Sequence, residues 1–284
     1  MSETTDTVSE RQACTHALTH WLTEARHQRQ RAAAEPRRAA RRQALRAFQA
    51  ARLARTHADL LDSPRYGRAA AFFLTDLYSP KDLGPRDAEI ERVLPLITST
   101  LPTAGLHALL QAAELDALSE RFDAAMVHAL GERLDTSLDD ADYAAAYRTV
   151  DDAPGRQHQI ALILGTGQTL DRLAHKPGLA ALLKMMRGPA QLAGLGELQS
   201  FLERGFTAFR SMRSAQAFLD TRRLRRGFRE RLAVKPLTAT DVRAMCNTVA
   251  DCLLVARQRG APTQDVLVWQ ARFNALTTLV PVAV

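Results

Sequence analysis

The chain has 284 residues, 46% of them hydrophobic and 24% charged, which suits a folded globular protein with a sizeable core and excludes a disordered one. Its net charge is +7, and 34 of its 38 basic residues are Arg. No run reaches about 18 consecutive apolar residues, so no membrane-spanning helix is expected.

The polar, acidic stretch from Met1 to Glu10 does not have the form of a secretory signal. Cys14, Cys246 and Cys252 lack Cys-x-x-Cys spacing, so they read as reduced thiols of a cytoplasmic protein. Alanine, leucine and arginine dominate, and alternating runs of Val and Ile are nearly absent. That composition predicts an all-α protein.

A loose tail is expected over 1–8. A helix then spans about 10–34, with Ala13, Ala17, Trp21 and Leu22 or Ala25 on one face. Pro36 suits the first turn of the next helix, which runs to about Leu61. Ala40, Ala44, Ala47, Ala51, Ala54 and Ala58 recur in it at heptad spacing, a small-residue seam along which another helix can approach closely. Arg38, Arg42, Arg46 and Arg52 fall on the opposite side, facing water or a partner. The two helices read as an antiparallel hairpin.

Residues 66–78 form the most apolar helix, with Tyr66, Phe72, Phe73 and Tyr78 in one stretch, and read as the centre of the bundle. The next helix starts near Pro85, and Pro95 should kink or divide it. Helical pattern continues over 102–134. Ser137 to Asp140 reads as a capping box, and 151–155 as a loop. Pro177 and Gly188-Pro189 bracket a short helix. From Leu195 to Leu219 apolar residues keep strict three-four spacing. Two further helices are expected over 238–260 and from about Val266 to Leu276. The domain reading is one irregular multi-helix bundle over 63–284, continuous with a basic hairpin arm over 1–62.

Charge is concentrated. Residues 26–55 hold ten Arg against Glu35, and residues 222–231 hold six Arg against Glu230. Arg38, Arg41, Arg42, Arg46, Arg222, Arg223 and Arg226 are therefore candidates for binding an anion or an acidic partner. An Arg- and Ala-rich bias is also what a GC-rich genome produces. Aromatic interleaving is poor, with Phe48 and Phe228 alone in the two clusters. Contact with nucleic acid would therefore be to phosphates and sensitive to salt.

Asp76 lies in the most apolar helix, and a buried carboxylate must be paired or protonated. Tyr66, Asp76, Tyr78 and Lys81 are the candidates for a ligand pocket; a structural ion pair is the plainer reading of Asp76. His16, His20, Glu24 and His27 share a helix face, but the second Glu-x-x-His of a di-iron bundle is missing, so no metal and no cofactor is expected. Gly165-Thr-Gly167 lacks the remainder of a phosphate loop. No nucleophile–base constellation follows from spacing, and no residue is assigned a catalytic role.

The segment Phe72-Phe-Leu-Thr-Asp-Leu-Tyr-Ser-Pro-Lys-Asp82 resembles one that recurs in uncharacterised bacterial helical proteins. Glu197-Leu-Gln-Ser-Phe-Leu-Glu-Arg-Gly-Phe206 is similar to a second shared stretch. The resemblance implies kinship over most of the chain after residue 60 and brings no known activity with it. The leading expectation is a cytoplasmic, non-enzymatic interaction or regulatory protein, with a protein partner or its own copies docking on Arg-rich helices. The alternatives are a small-molecule or catalytic pocket near Asp76 and non-specific phosphate contact with nucleic acid.

Overall fold

Residues 2–77, 84–101 and 103–213 are described by the structure, a computed structural model. The expectations for Tyr78, Lys81, Arg222, Arg223, Arg226, Cys246, Cys252 and the last two helices lie outside those residues.

The described residues form ten α-helices and no strand, so the all-α class is confirmed. They are α1 (Ser2–Ala33), α2 (Pro36–Thr56), α3 (Ala58–Leu61), α4 (Gly67–Phe72), α5 (Gly84–Thr100), α6 (Thr103–Leu130), α7 (Asp140–Val150), α8 (Ala153–Ala174), α9 (Leu179–Leu192) and α10 (Gly196–Ser211). A wide π turn, Phe73–Leu77, follows α4, and a 3-10 turn, Gly131–Asp135, follows α6.

The helix at the centre is α6, not the 66–78 stretch. Its 28 residues make a rod of about 42 Å. α1, α2, α7 and α8 all lie on it. Leu106, Ala113, Ala117, Leu118, Phe122, Met126, Val127 and Leu130 are its buried apolar positions. α1 packs along it through Cys14, Leu18, Ala25 and Ala32, of which Cys14 and the two alanines are small enough to permit close approach. That face is rotated from the expected one, since Ala13 is exposed. The helix also starts at Ser2, where a tail over 1–8 was expected.

α4 is one wall of a separate apolar cluster. Tyr66, Ala69, Ala70 and Phe72 meet Phe209 and Met212 of the α10 end, with Phe201 and Phe206 beside them. Gly67 has to be glycine, because a Cβ there would lie 2.6 Å from the Leu61 carbonyl oxygen. Gly205 lets α10 approach the Phe72 ring, 3.1 Å from where its Cβ would stand. A second cluster joins Leu45 of α2 to Met126, Leu130, Leu134, Tyr143 and Ala146.

Several boundaries differ from expectation for local reasons. Pro36 opens α2 as expected, but the helix breaks at His57. Pro95 and Pro189 lie inside α5 and α9 without dividing them. Both prolines are exposed, so the carbonyls they free can be hydrated. Asp139, not Ser137, caps α7, accepting from the Asp142 amide at 2.7 Å. The expected loop over 151–155 shrinks to a two-residue link. Asp152 caps α8 through the Gly155 amide at 2.8 Å, with Pro154 in the first turn.

Candidate functional site

The Arg face of α2 is the inner face, and the alanine seam is the outer one. Ala40, Ala47, Ala51 and Ala58 are exposed, while Leu45 is fully buried and Arg42 and Arg46 are largely covered. The reason lies on α6. Asp116, Glu120 and Asp123 stand at i, i+4 and i+7 and form one acidic row along the helix. A methyl stripe offers little area to bury, whereas Leu45, Phe48 and the Arg stems cover more and bring the guanidiniums to that row.

Glu120 is the hub, with its side chain 2% exposed. It accepts from Arg42 Nη2 at 2.8 and 2.6 Å and from Arg46 Nη2 at 2.6 Å. Arg29 Nε lies 3.3 Å from it without hydrogen-bond geometry. Arg29 donates instead to Asp116 at 2.6 Å and pairs with Asp87 at 3.1 Å. Arg46 Nε and Gln49 Nε2 donate to Asp123 at 3.1 and 3.2 Å. Arg86 closes the row on Asp87 at 3.1 Å. Four guanidiniums thus face four carboxylates, so the network is neutral and offers no surplus charge to a ligand.

Burial pushes the Glu120 carboxyl up, but Arg46, Arg42 and Arg29 outweigh it and hold the group below the usual range. For Asp123 burial prevails over Arg46, and its carboxyl is raised. At the hairpin's outer end Arg41 and Arg37 clamp Asp135, with Arg41 donating at 2.8 and 2.6 Å and Arg37 at 2.8 Å. Hydrogen bonds from Arg41 and then Arg37 hold that carboxyl far below its ordinary value. Of the four N-terminal anion candidates, Arg41, Arg42 and Arg46 are committed inside the chain. Arg38 is half exposed, 3.6 Å from Glu35.

Asp76 also has an internal partner. The π turn brings its Oδ1 to Arg204 of α10, which donates from Nε at 2.8 Å, and Thr75 donates to Oδ2 at 2.8 Å. Tyr66 is buried, with the Arg65 guanidinium 5.0 Å over its ring. Neither Arg204 nor the α6 row was anticipated from sequence, although the match of 116/120/123 to 42/46/49 in helical spacing is a signal.

Two features remain on the surface. Leu182, Met185, Met186 and Leu192 of α9 point outward, between 43% and 92% exposed. A cleft of about 300 Å³ opens elsewhere, lined by His20, Trp21 and Glu24 of α1, Glu114, Ala117, Leu118 and Arg121 of α6, and Gly155 and His158 of α8. His158 Nε2 is 2.7 Å from Glu114 Oε1. Among the described residues no three His, Cys, Asp or Glu side chains are grouped to hold a metal ion. Cys14 is a buried free thiol, and burial pushes its pKa up, which keeps it unreactive.

A family match runs over residues 28–241, about three quarters of the chain. The chain belongs to DUF8198, a domain of unknown function. The DUF8198 span takes in the whole Arg–carboxylate network, Asp76 and α9, whereas His20, Trp21 and Glu24 precede it. No curated protein and no solved structure matches.

Proposed function

We propose that this DUF8198 protein is a cytoplasmic, non-enzymatic interaction protein of a bacterial cell, and that it docks its partner on the outward face of α9. The observation that carries this is the apolar stripe Leu182, Met185, Met186 and Leu192, which no described residue covers, on a helix whose other apolar edge, Leu183 and Ala190, turns inward. Contiguous exposed apolar side chains of this size mark docking surfaces, and methionine suits an adaptable one. The buried reduced thiol of Cys14 accords with a cytoplasmic setting.

The occupant is a partner protein that presents an amphipathic helix flanked by acids. α9 has no Asp or Glu, and with Arg187 held by Glu203 at 2.6 Å its unpaired charge is Lys184, which pairing with a second copy would set against its like. α9 is about 21 Å long. A contact confined to it falls short of the ~800 Å² per partner of a stable interface, so a larger partner must supply the rest. The Arg-rich hairpin supports the interaction reading less than its sequence suggests, because three of its four candidates are paired internally. The same pairing weighs against non-specific phosphate binding, and the Arg204 contact weighs against an open pocket at Asp76.

The test is native mass spectrometry on gently purified full-length protein. A bound protein of fixed stoichiometry should be lost in Leu182→Glu/Met185→Glu, weakened in Lys184→Glu, and retained in Arg38→Gln. Retention in the α9 variants, or a mass that is only a multiple of the chain, overturns the reading.

A further inference from the structure

We propose that the cleft between α1, α6 and α8 binds a small organic cation, an amine or guanidinium with few heavy atoms. The argument starts from a contrast in how this chain treats its acids. Asp76, Asp116, Glu120, Asp123 and Asp135 each face a guanidinium of the same chain. Glu24 and Glu114 do not. Among the described residues Glu24 accepts from the Gln28 amide, and Glu114 is joined to His158, so one oxygen of each is left open. Both line the same cleft. In a chain with a net charge of +7, two carboxylates that face no Arg or Lys, one of them bonded to a histidine, are in one concave site a place for a cation from outside.

The rest of the lining fits that chemistry. The indole of Trp21 is the best aromatic partner for a cation, and the His20 ring braces it edge-on at 5.0 Å. Ala117 and Leu118 give an apolar floor for a short carbon chain. Arg121, the lining's guanidinium, is paired with Asp152 at 3.1 Å, which removes it as a repulsive neighbour. A volume of about 300 Å³ sits at the small end of ligand sites, which sets the ligand size. Glu24 and Glu114 take the charged head by charge-assisted hydrogen bonds, and Trp21 covers it.

The chain has two tryptophans, Trp21 and Trp269, so Trp269→Phe leaves Trp21 as the reporter of the cleft. Full-length Trp269→Phe protein in amine-free phosphate buffer is titrated with agmatine and with putrescine, and with benzoate at matched ionic strength. Agmatine or putrescine should change Trp21 emission saturably, and benzoate should not. Adding Glu24→Gln and Glu114→Gln should weaken binding about tenfold or more, the loss expected for charged hydrogen bonds. If the double variant loses its helical circular dichroism, Glu24→Gln alone, at a half-buried position, takes its place. No saturable response to either cation, an equal response to benzoate, or unchanged affinity in the Gln variant each overturns the proposal.

Discussion

Replacing Glu120 with Gln should destabilise the protein by about 3 kcal/mol. The substitution keeps volume and one acceptor oxygen but removes the charge at a side chain that is 2% exposed. Breaking a buried ion pair from one side costs about 3–5 kcal/mol, because the partner charges stay buried. The local geometry points to the low end. Arg29 keeps Asp116 at 2.6 Å, and Arg46 keeps Asp123 at 3.1 Å, so Arg42 is the cation left stranded. Urea unfolding followed by circular dichroism reads the change as a lower midpoint at constant slope. A loss under about 1 kcal/mol would refute the reasoning, because it would mean that Glu120 is already hydrated and Arg42 free.

Acid should act on the network with two opposite signs. The folded pKa of Glu120 is depressed, so its contribution is present above its unfolded value and is lost as pH falls through the folded one. Asp123 is raised, so its burial penalises stability at neutral pH, and that penalty fades as pH falls through its folded value. Asp123→Asn should therefore flatten the upper part of the pH–stability curve and leave the acid collapse in place; an unchanged curve would contradict this.

Arg42→Gln together with Arg46→Gln should destabilise by about 3 kcal/mol or more, while Arg38→Gln stays within about 0.5 kcal/mol. Stability unchanged in the double variant would return those side chains to the surface. Gly67→Ala should lose about 1–3 kcal/mol in thermal unfolding, since its Cβ meets the Leu61 carbonyl; an unshifted melting temperature would show that the turn gives way. Asp76→Asn should cost roughly 1 kcal/mol, because Arg204 is half exposed and water replaces part of the bond. A loss above about 3 kcal/mol would mean that the pair is buried more deeply than its exposure shows.

Periodicity made the helices legible because apolar spacing survives any rotation of the whole helix. It did not fix which side of a helix packs. The alanine seam of α2 was read in the wrong phase, and on α1 Ala25 is buried as read while Ala13 is not, since Ala at regular spacing signals close approach only where a neighbour meets it. The Arg row of α2 was set facing water or a partner because its counter-charges sit about 75 residues away, on α6. Asp76 was recognised as needing a partner, yet Arg204 lies 128 residues on and comes near only through the π turn. Pro95 does not divide α5, and Pro189 does not close α9, because both lie on exposed turns where water replaces the lost bond. The outward stripe of α9 was not foreseen, because its exposure depends on which edge α10 covers.

Photo-crosslinking from two positions tests the docking face most directly. A photoreactive side chain at Met185 of α9 or at Arg38 of α2 is placed in the full-length protein within its own cell, and the trapped peptide is mapped. The account predicts one partner trapped from Met185, through an apolar segment flanked by acids, and none from Arg38. Trapping from Arg38 alone, or from Met185 onto a second copy of the chain, would contradict it.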